Sequence, residues 1–125
     1  MDNKTINYLR TIMRLKLEKY LAFDLKMDYC PEIIGNAIIY GAGNNGKLLL
    51  RCFDKAPVAF IDVKQGLQDI CGIPVINIEE CRNILSENST VIVTPIWAFD
   101  EIKADLLKLE PKVNVISLEK LVEKL

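Results

Sequence analysis

Residues 37–47, Ala37-Ile38-Ile39-Tyr40-Gly41-Ala42-Gly43-Asn44-Asn45-Gly46-Lys47, constrain the fold of this chain more than any other stretch. A short apolar run enters a G-x-G-x-x-G turn, and a helix-like run, Lys47-Leu48-Leu49-Leu50-Arg51, follows directly. That order gives each glycine a physical task. Gly41 makes the tight turn out of the strand, Gly43 leaves the backbone open to close approach, and Gly46 lets the helix pack on the strand. The first amides of the helix and the positive end of its dipole then favour an anion at that point. A second apolar run, Val58-Ala59-Phe60-Ile61, ends on Asp62, 21 positions after Gly41. An acid there can accept hydrogen bonds from the two hydroxyls of a ribose. Together these residues read as a loop for a nucleotide.

The rest of the chain alternates strand and helix patterns. Lys4 to Phe23 reads as a helix, with Ile6, Leu9, Met13, Leu17, Tyr20 and Leu21 on one stripe and Lys4, Arg10, Arg14 and Lys19 off it. Strands are predicted at Ala37 to Tyr40, Val58 to Ile61, Ile73 to Ile76, Thr90 to Thr94 and Val113 to Ile116. Pro74 points to an edge position for the third of these. Helices are predicted from Asn45 to Asp54, from an Asn77 cap through Glu79, Glu80, Cys81 and Leu85, and from Ala98 to Leu109. Ser117 caps a tail helix, and residues 64–69 read as a loop.

This succession predicts an α/β fold: a Rossmann-like open parallel sheet of about five strands in the order 3-2-1-4-5, with an extra N-terminal helix. Residues 1–30 form the helical extension and residues 31–125 the nucleotide-binding domain. The ligand crevice is expected where the strand order reverses, between strands one and four. That places Gly41, Gly43, Asn44, Asn45, Gly46, Asp62, Thr94 and Pro95 around one cleft. Trp97 is placed at its rim, for stacking on a base or sugar or for packing. Lys47 reads as a solvated residue within reach of a phosphate, and Tyr40 as a packing residue.

Composition narrows the chemistry. The formal net charge of -1 gives no attraction to nucleic acid or an anionic membrane. The apolar runs are far shorter than a membrane span and Met1-Asp2-Asn3-Lys4 carries no signal-peptide core, so a cytoplasmic location without membrane insertion is expected. The chain has no histidine, which removes the usual general base and the Ser-His-Asp and Cys-His arrangements. Its four cysteines form no C-x-x-C pair, so no metal site is expected and they read as reduced thiols. Gly41 to Lys47 also fits G-x-x-x-x-G-K, but Leu48 stands where a P-loop needs Ser or Thr for magnesium, which argues against an NTPase. The competing reading of the glycine turn is a plain strand–helix junction. The N-terminal helix reads as a cover for the domain or as the surface of a homodimer or partner chain.

Three stretches carry a resemblance: Ile39 to Lys47, Phe60-Ile61-Asp62, and Cys71-Gly72-Ile73-Pro74-Val75-Ile76. Over about residues 37–116 the chain resembles the N-terminal Rossmann-type domain of bacterial sugar-nucleotide enzymes of polysaccharide biosynthesis, the nucleotide-sugar acetyltransferases and the dehydratases and epimerases. The resemblance implies that Gly41, Gly43, Asn44, Asn45, Gly46 and Asp62 hold NAD or a UDP-sugar. An acid at Asp62 favours NAD over NADP, whose 2′-phosphate would face like charge. Val63 stands where that family often has a second acid. The catalytic histidine with its hexapeptide repeat and a convincing Tyr-x-x-x-Lys set are both missing from these residues. The expectation is therefore a nucleotide-binding domain of sugar-nucleotide metabolism that is not catalytic alone, with catalytic residues unassigned. The alternatives are an NAD-dependent oxidoreductase acting as an oligomer, and an interaction module with an empty cleft.

Overall fold

Apolar residues at every position of Val91-Ile92-Val93 require cover on both faces, and the chain supplies it. The computed structural model describes residues 1–64 and 69–123. Strand β1 (Asn36–Tyr40) lies at the centre of a six-stranded sheet, followed in chain order by β2 (Ala59–Ile61), β3 (Asp69–Ile70), β4 (Ile73–Ile76), β5 (Ser89–Val93) and β6 (Asn114–Ser117). The spatial order is β3-β4-β2-β1-β5-β6. All neighbours are parallel except the β3–β4 pair. The five parallel strands therefore follow the expected order, with one strand more than expected at the edge.

That extra strand corrects the loop reading at its end. Cys71 and Gly72 both have positive φ, 52° and 82°, which suits the tight hairpin between Ile70 and Ile73. Asp69 accepts the Gly72 amide at 3.1 Å and so helps to close the turn. Asp69 faces Pro74 across the pair, so β4 is the edge of the parallel strands only, flanked by a two-residue ribbon. Residues 65–68 of the predicted loop lie outside the described residues.

Side-chain alternation divides the core between the two faces of the sheet. Ile39 pairs in register with Phe60 and Ile92 and points with them to one face. Helices α1 (Asn3–Ala22), α2 (Asn44–Arg51) and α4 (Leu118–Val122) cover that face through Met13, Leu17, Leu49 and Leu121. Ile38, Tyr40, Ile61, Val91 and Val93 point to the other face, where α3 (Phe99–Leu109) adds Ile102 and Leu106. The N-terminal helix thus shares the core of the sheet. Asp2 caps it by accepting from Thr5 N at 2.7 Å, and the Tyr20 hydroxyl donates to Leu121 O at 3.2 Å.

The helix expected through Glu79 and Leu85 is a single 3-10 turn, Glu80–Asn83. Its start is as expected, since Asn77 and Glu80 exchange side-chain hydrogen bonds with each other's amides at 2.8 and 3.2 Å. Ser86 and Ser89 then bind one another and turn the chain into β5, so too few residues remain for a second helical turn. Among the described residues no helix is long and apolar enough to cross a membrane.

Candidate functional site

The glycine loop is held from both neighbouring strands. Gly41 N donates to Ile61 O at 2.8 Å, and Thr94 donates from both its amide (3.0 Å) and its hydroxyl (2.8 Å) to Tyr40 O. These bonds extend the pairing of β1 with β2 and β5 one residue beyond the strand ends and fix where the loop begins. Gly41 has a φ of 105°, and a Cβ there would run into Thr94 Oγ1. Gly46 rests against the carbonyl of Gly41, leaving no room for a side chain. Gly43 differs from both: a Cβ there would meet nothing within 4 Å. The three glycines thus divide into a turn, an open face and a close contact, as their spacing predicts.

All eight sequence-predicted residues come together. Gly41, Gly43, Asn44, Asn45, Gly46, Asp62, Thr94 and Pro95 line one cleft of about 360 Å³ at the carboxyl ends of β1, β2 and β5. This size lies within the range of pockets for small organic ligands, about 300–1,000 Å³. Tyr40, Val63 and Trp97 line it as well. Helix α2 starts at the cleft, with Gly43 as its cap, so its first amides lack partners within the helix. Lys47, one turn along, is exposed and lies outside the cleft lining.

Asp62 does more than line the cleft. Its Oδ2 accepts from Ala42 N and its Oδ1 from Lys64 N, both at 2.7 Å. The carboxylate therefore clamps the glycine loop to the end of β2. Each oxygen keeps lone pairs for further donors. Thr94 is likewise engaged through its hydroxyl with Tyr40 O. Burial, with the charges of Asp105 and Asp62 behind it, pushes the Tyr40 phenol upward, which unsuits it to proton transfer near neutral pH.

One wall of the cleft comes from outside the predicted set. Arg10 of α1 lines it, with its guanidinium carbon 5.0 Å from the centre of the Trp97 ring. Asn45 explains how α1 reaches this place. Its Nδ2 donates to Arg10 O at 3.0 Å, tying α1 to the first turn of α2. Asn45 is buried, and its Oδ1 has no hydrogen-bond partner among the described residues. Helical periodicity puts Arg10 off the apolar stripe, a position that normally signals solvent. Nothing in the linear pattern marks it as a cleft residue.

A second depression, of about 460 Å³, is also bordered by Trp97. Asp100, Glu101, Glu119 and Glu123 line it against Lys120 alone, so it repels an anion that the Arg10 side attracts. Among the described residues no group of three or more Cys, Asp or Glu could hold a metal ion. Compared with known proteins, the chain matches no family model and no curated sequence.

Proposed function

We propose that this protein is a nucleotide-binding domain whose cleft takes NAD or a UDP-sugar, that it serves sugar-nucleotide or polysaccharide metabolism, and that it is not catalytic alone. The observation that carries the reading is the open side of Gly43 at the start of α2, beside the Asp62 carboxylate in one cleft. Backbone amides at a helix start favour a pyrophosphate, and the acid lies where ribose hydroxyls would reach it. The resemblance of residues 37–116 to sugar-nucleotide enzymes supplies the metabolic setting. The ionisable side chains of the cleft are Arg10, Tyr40 and Asp62, which offer an anion partner and a loop clamp rather than an acid–base pair. A reducing cytoplasm suits the buried thiols of Cys52 and Cys81. A homodimer through α1 would use its outer side, where Tyr8 and Leu15 are exposed, because Met13, Leu17 and Tyr20 are taken by the core.

Thermal unfolding against NAD(H), NADP(H), UDP, UDP-sugars and CoA tests the proposal. A ligand at a hundred times its Kd stabilises by about 2.7 kcal/mol, which raises the Tm of a domain this size by roughly 5–15 °C. A shift with NAD or with UDP-sugars is expected. No shift with any of them overturns the reading in favour of an interaction module. Turnover of NADH or of a sugar nucleotide by the isolated chain overturns its non-catalytic part.

A further inference from the structure

We propose that Arg10 is an anion ligand of this cleft, resting on the Trp97 ring in the structure and moving to a phosphate when a nucleoside diphosphate binds. The inference rests on the nucleotide reading above and adds to it a residue from outside the β-α-β unit.

Arg10 has a neutral hydrogen-bond partner and an aromatic ring beside it, but no ion-pair partner among the described residues. Arg14, one turn along the same helix, pairs with Glu18 at 2.7 Å. Lys26 reaches both Asp24 and Asp54, and Arg82 reaches Glu79. Arg10 Nη1 donates to the neutral Asn7 Oδ1 at 2.8 Å, and the guanidinium otherwise lies on Trp97. A guanidinium has five N–H donors in a fixed fork that matches two oxygens of a phosphate. A charge-assisted pair of hydrogen bonds outweighs an exposed cation–π contact, so a phosphate in the cleft draws the side chain off the ring.

The backbone holds Arg10 in range. The bond from Asn45 Nδ2 to Arg10 O fixes this turn of α1 against the first turn of α2, where the unpartnered amides lie. Asn45 serves as the tether: its Nδ2 holds Arg10 O, and its Oδ1 is shut off from solvent and so from a ligand in the open cleft. An anionic diphosphate beside these amides and the Arg10 fork, with sugar hydroxyls toward Asp62, is the chemistry of a nucleoside diphosphate.

Calorimetric titration of the full chain with UDP, NAD, uridine and inorganic pyrophosphate tests this, alongside Trp97 emission. Trp97 is the only tryptophan and lines the cleft, so a change in its emission that is lost in the Arg10 variant reports the cleft and not the acidic depression it also borders. Arg10→Ala is expected to weaken the nucleotide that binds, and pyrophosphate, by about 10- to 100-fold, and to leave uridine unchanged. Arg10→Lys should recover part of the loss, because it restores charge without the fork. If Arg10→Ala melts early, Arg10→Gln, which keeps the stem and removes the charge, takes its place. Equal nucleotide affinity in wild type and the charge-removed variant overturns the role of Arg10 and leaves the nucleotide reading standing. Pyrophosphate binding that depends on Arg10, with no response to UDP or NAD, keeps the anion ligand and overturns the nucleotide reading. No binding of any probe by the wild type overturns both.

Discussion

Asp62 Oδ2 accepts the amide of Ala42 at 2.7 Å, so the acid at the end of β2 is a fastening for the glycine loop as well as a wall of the cleft. Lys64 N binds the other oxygen at the same distance. Asp62→Ala removes an acceptor from two amides at once and should cost about 2 kcal/mol, seen as a Tm lower by roughly 5–10 °C. Asp62→Asn keeps one acceptor oxygen and should fall between. A variant that melts like wild type would show that the fastening contributes nothing.

Gly41 and Gly43 sit two residues apart and should differ sharply in their tolerance of alanine. Gly41→Ala places a side chain at φ 105° and against Thr94 Oγ1, for an expected loss of about 3 kcal/mol in urea unfolding. Gly43 has a φ of -77° and open space around it, so alanine should leave stability within about 0.5 kcal/mol. Its Cβ would still enter the cleft and weaken whichever nucleotide the melting panel identifies. Equal stability effects at the two positions would contradict this division.

Helix α1 belongs to the core of the sheet. Leu17 is fully buried, and Leu17→Ala should cost about 2–5 kcal/mol in urea denaturation. Leu15, two residues earlier, is 51% exposed, and its alanine variant should lie within about 0.5 kcal/mol of wild type. A small effect at Leu17 would mean that the helix is dispensable.

Alkaline pH should loosen the fold in two stages. Burial pushes the thiols of Cys52 and Cys81 up to about 11 from 9.0, and the Tyr20 phenol up to about 12 from 10.0. The folded chain favours the neutral form of each. Their stabilising effect is complete below about pH 9, declines between pH 9 and 11 as the thiols ionise, and declines further to about pH 12 as Tyr20 does. Urea midpoints at pH 8, 10 and 11 should fall in that order, and Tyr20→Phe should reduce the drop above pH 10. At pH 8 iodoacetamide should label exposed Cys71 in the native protein and leave Cys52 and Cys81 unmodified.

The strand–turn–helix at Ala37 to Arg51, the acid 21 positions on and the alternating apolar runs were enough to specify the parallel sheet and its cleft. Those signals are local: side-chain period, turn chemistry and the spacing of glycines along one chain segment. The hairpin at Cys71-Gly72 escaped because two residues cannot show a period, and the turn after Asn77 stayed short because Ser86 and Ser89 redirect the chain. The double engagement of Asp62 and the arrival of Arg10 beside Trp97 were decided only by tertiary packing. Asp62 meets Ala42 across 20 residues, and Asn45 meets Arg10 across 35. An exposed arginine on a helix reads as solvated until another element is placed against it. The buried face of α1 determines where that helix lies on the sheet, and Arg10 enters the cleft as a consequence.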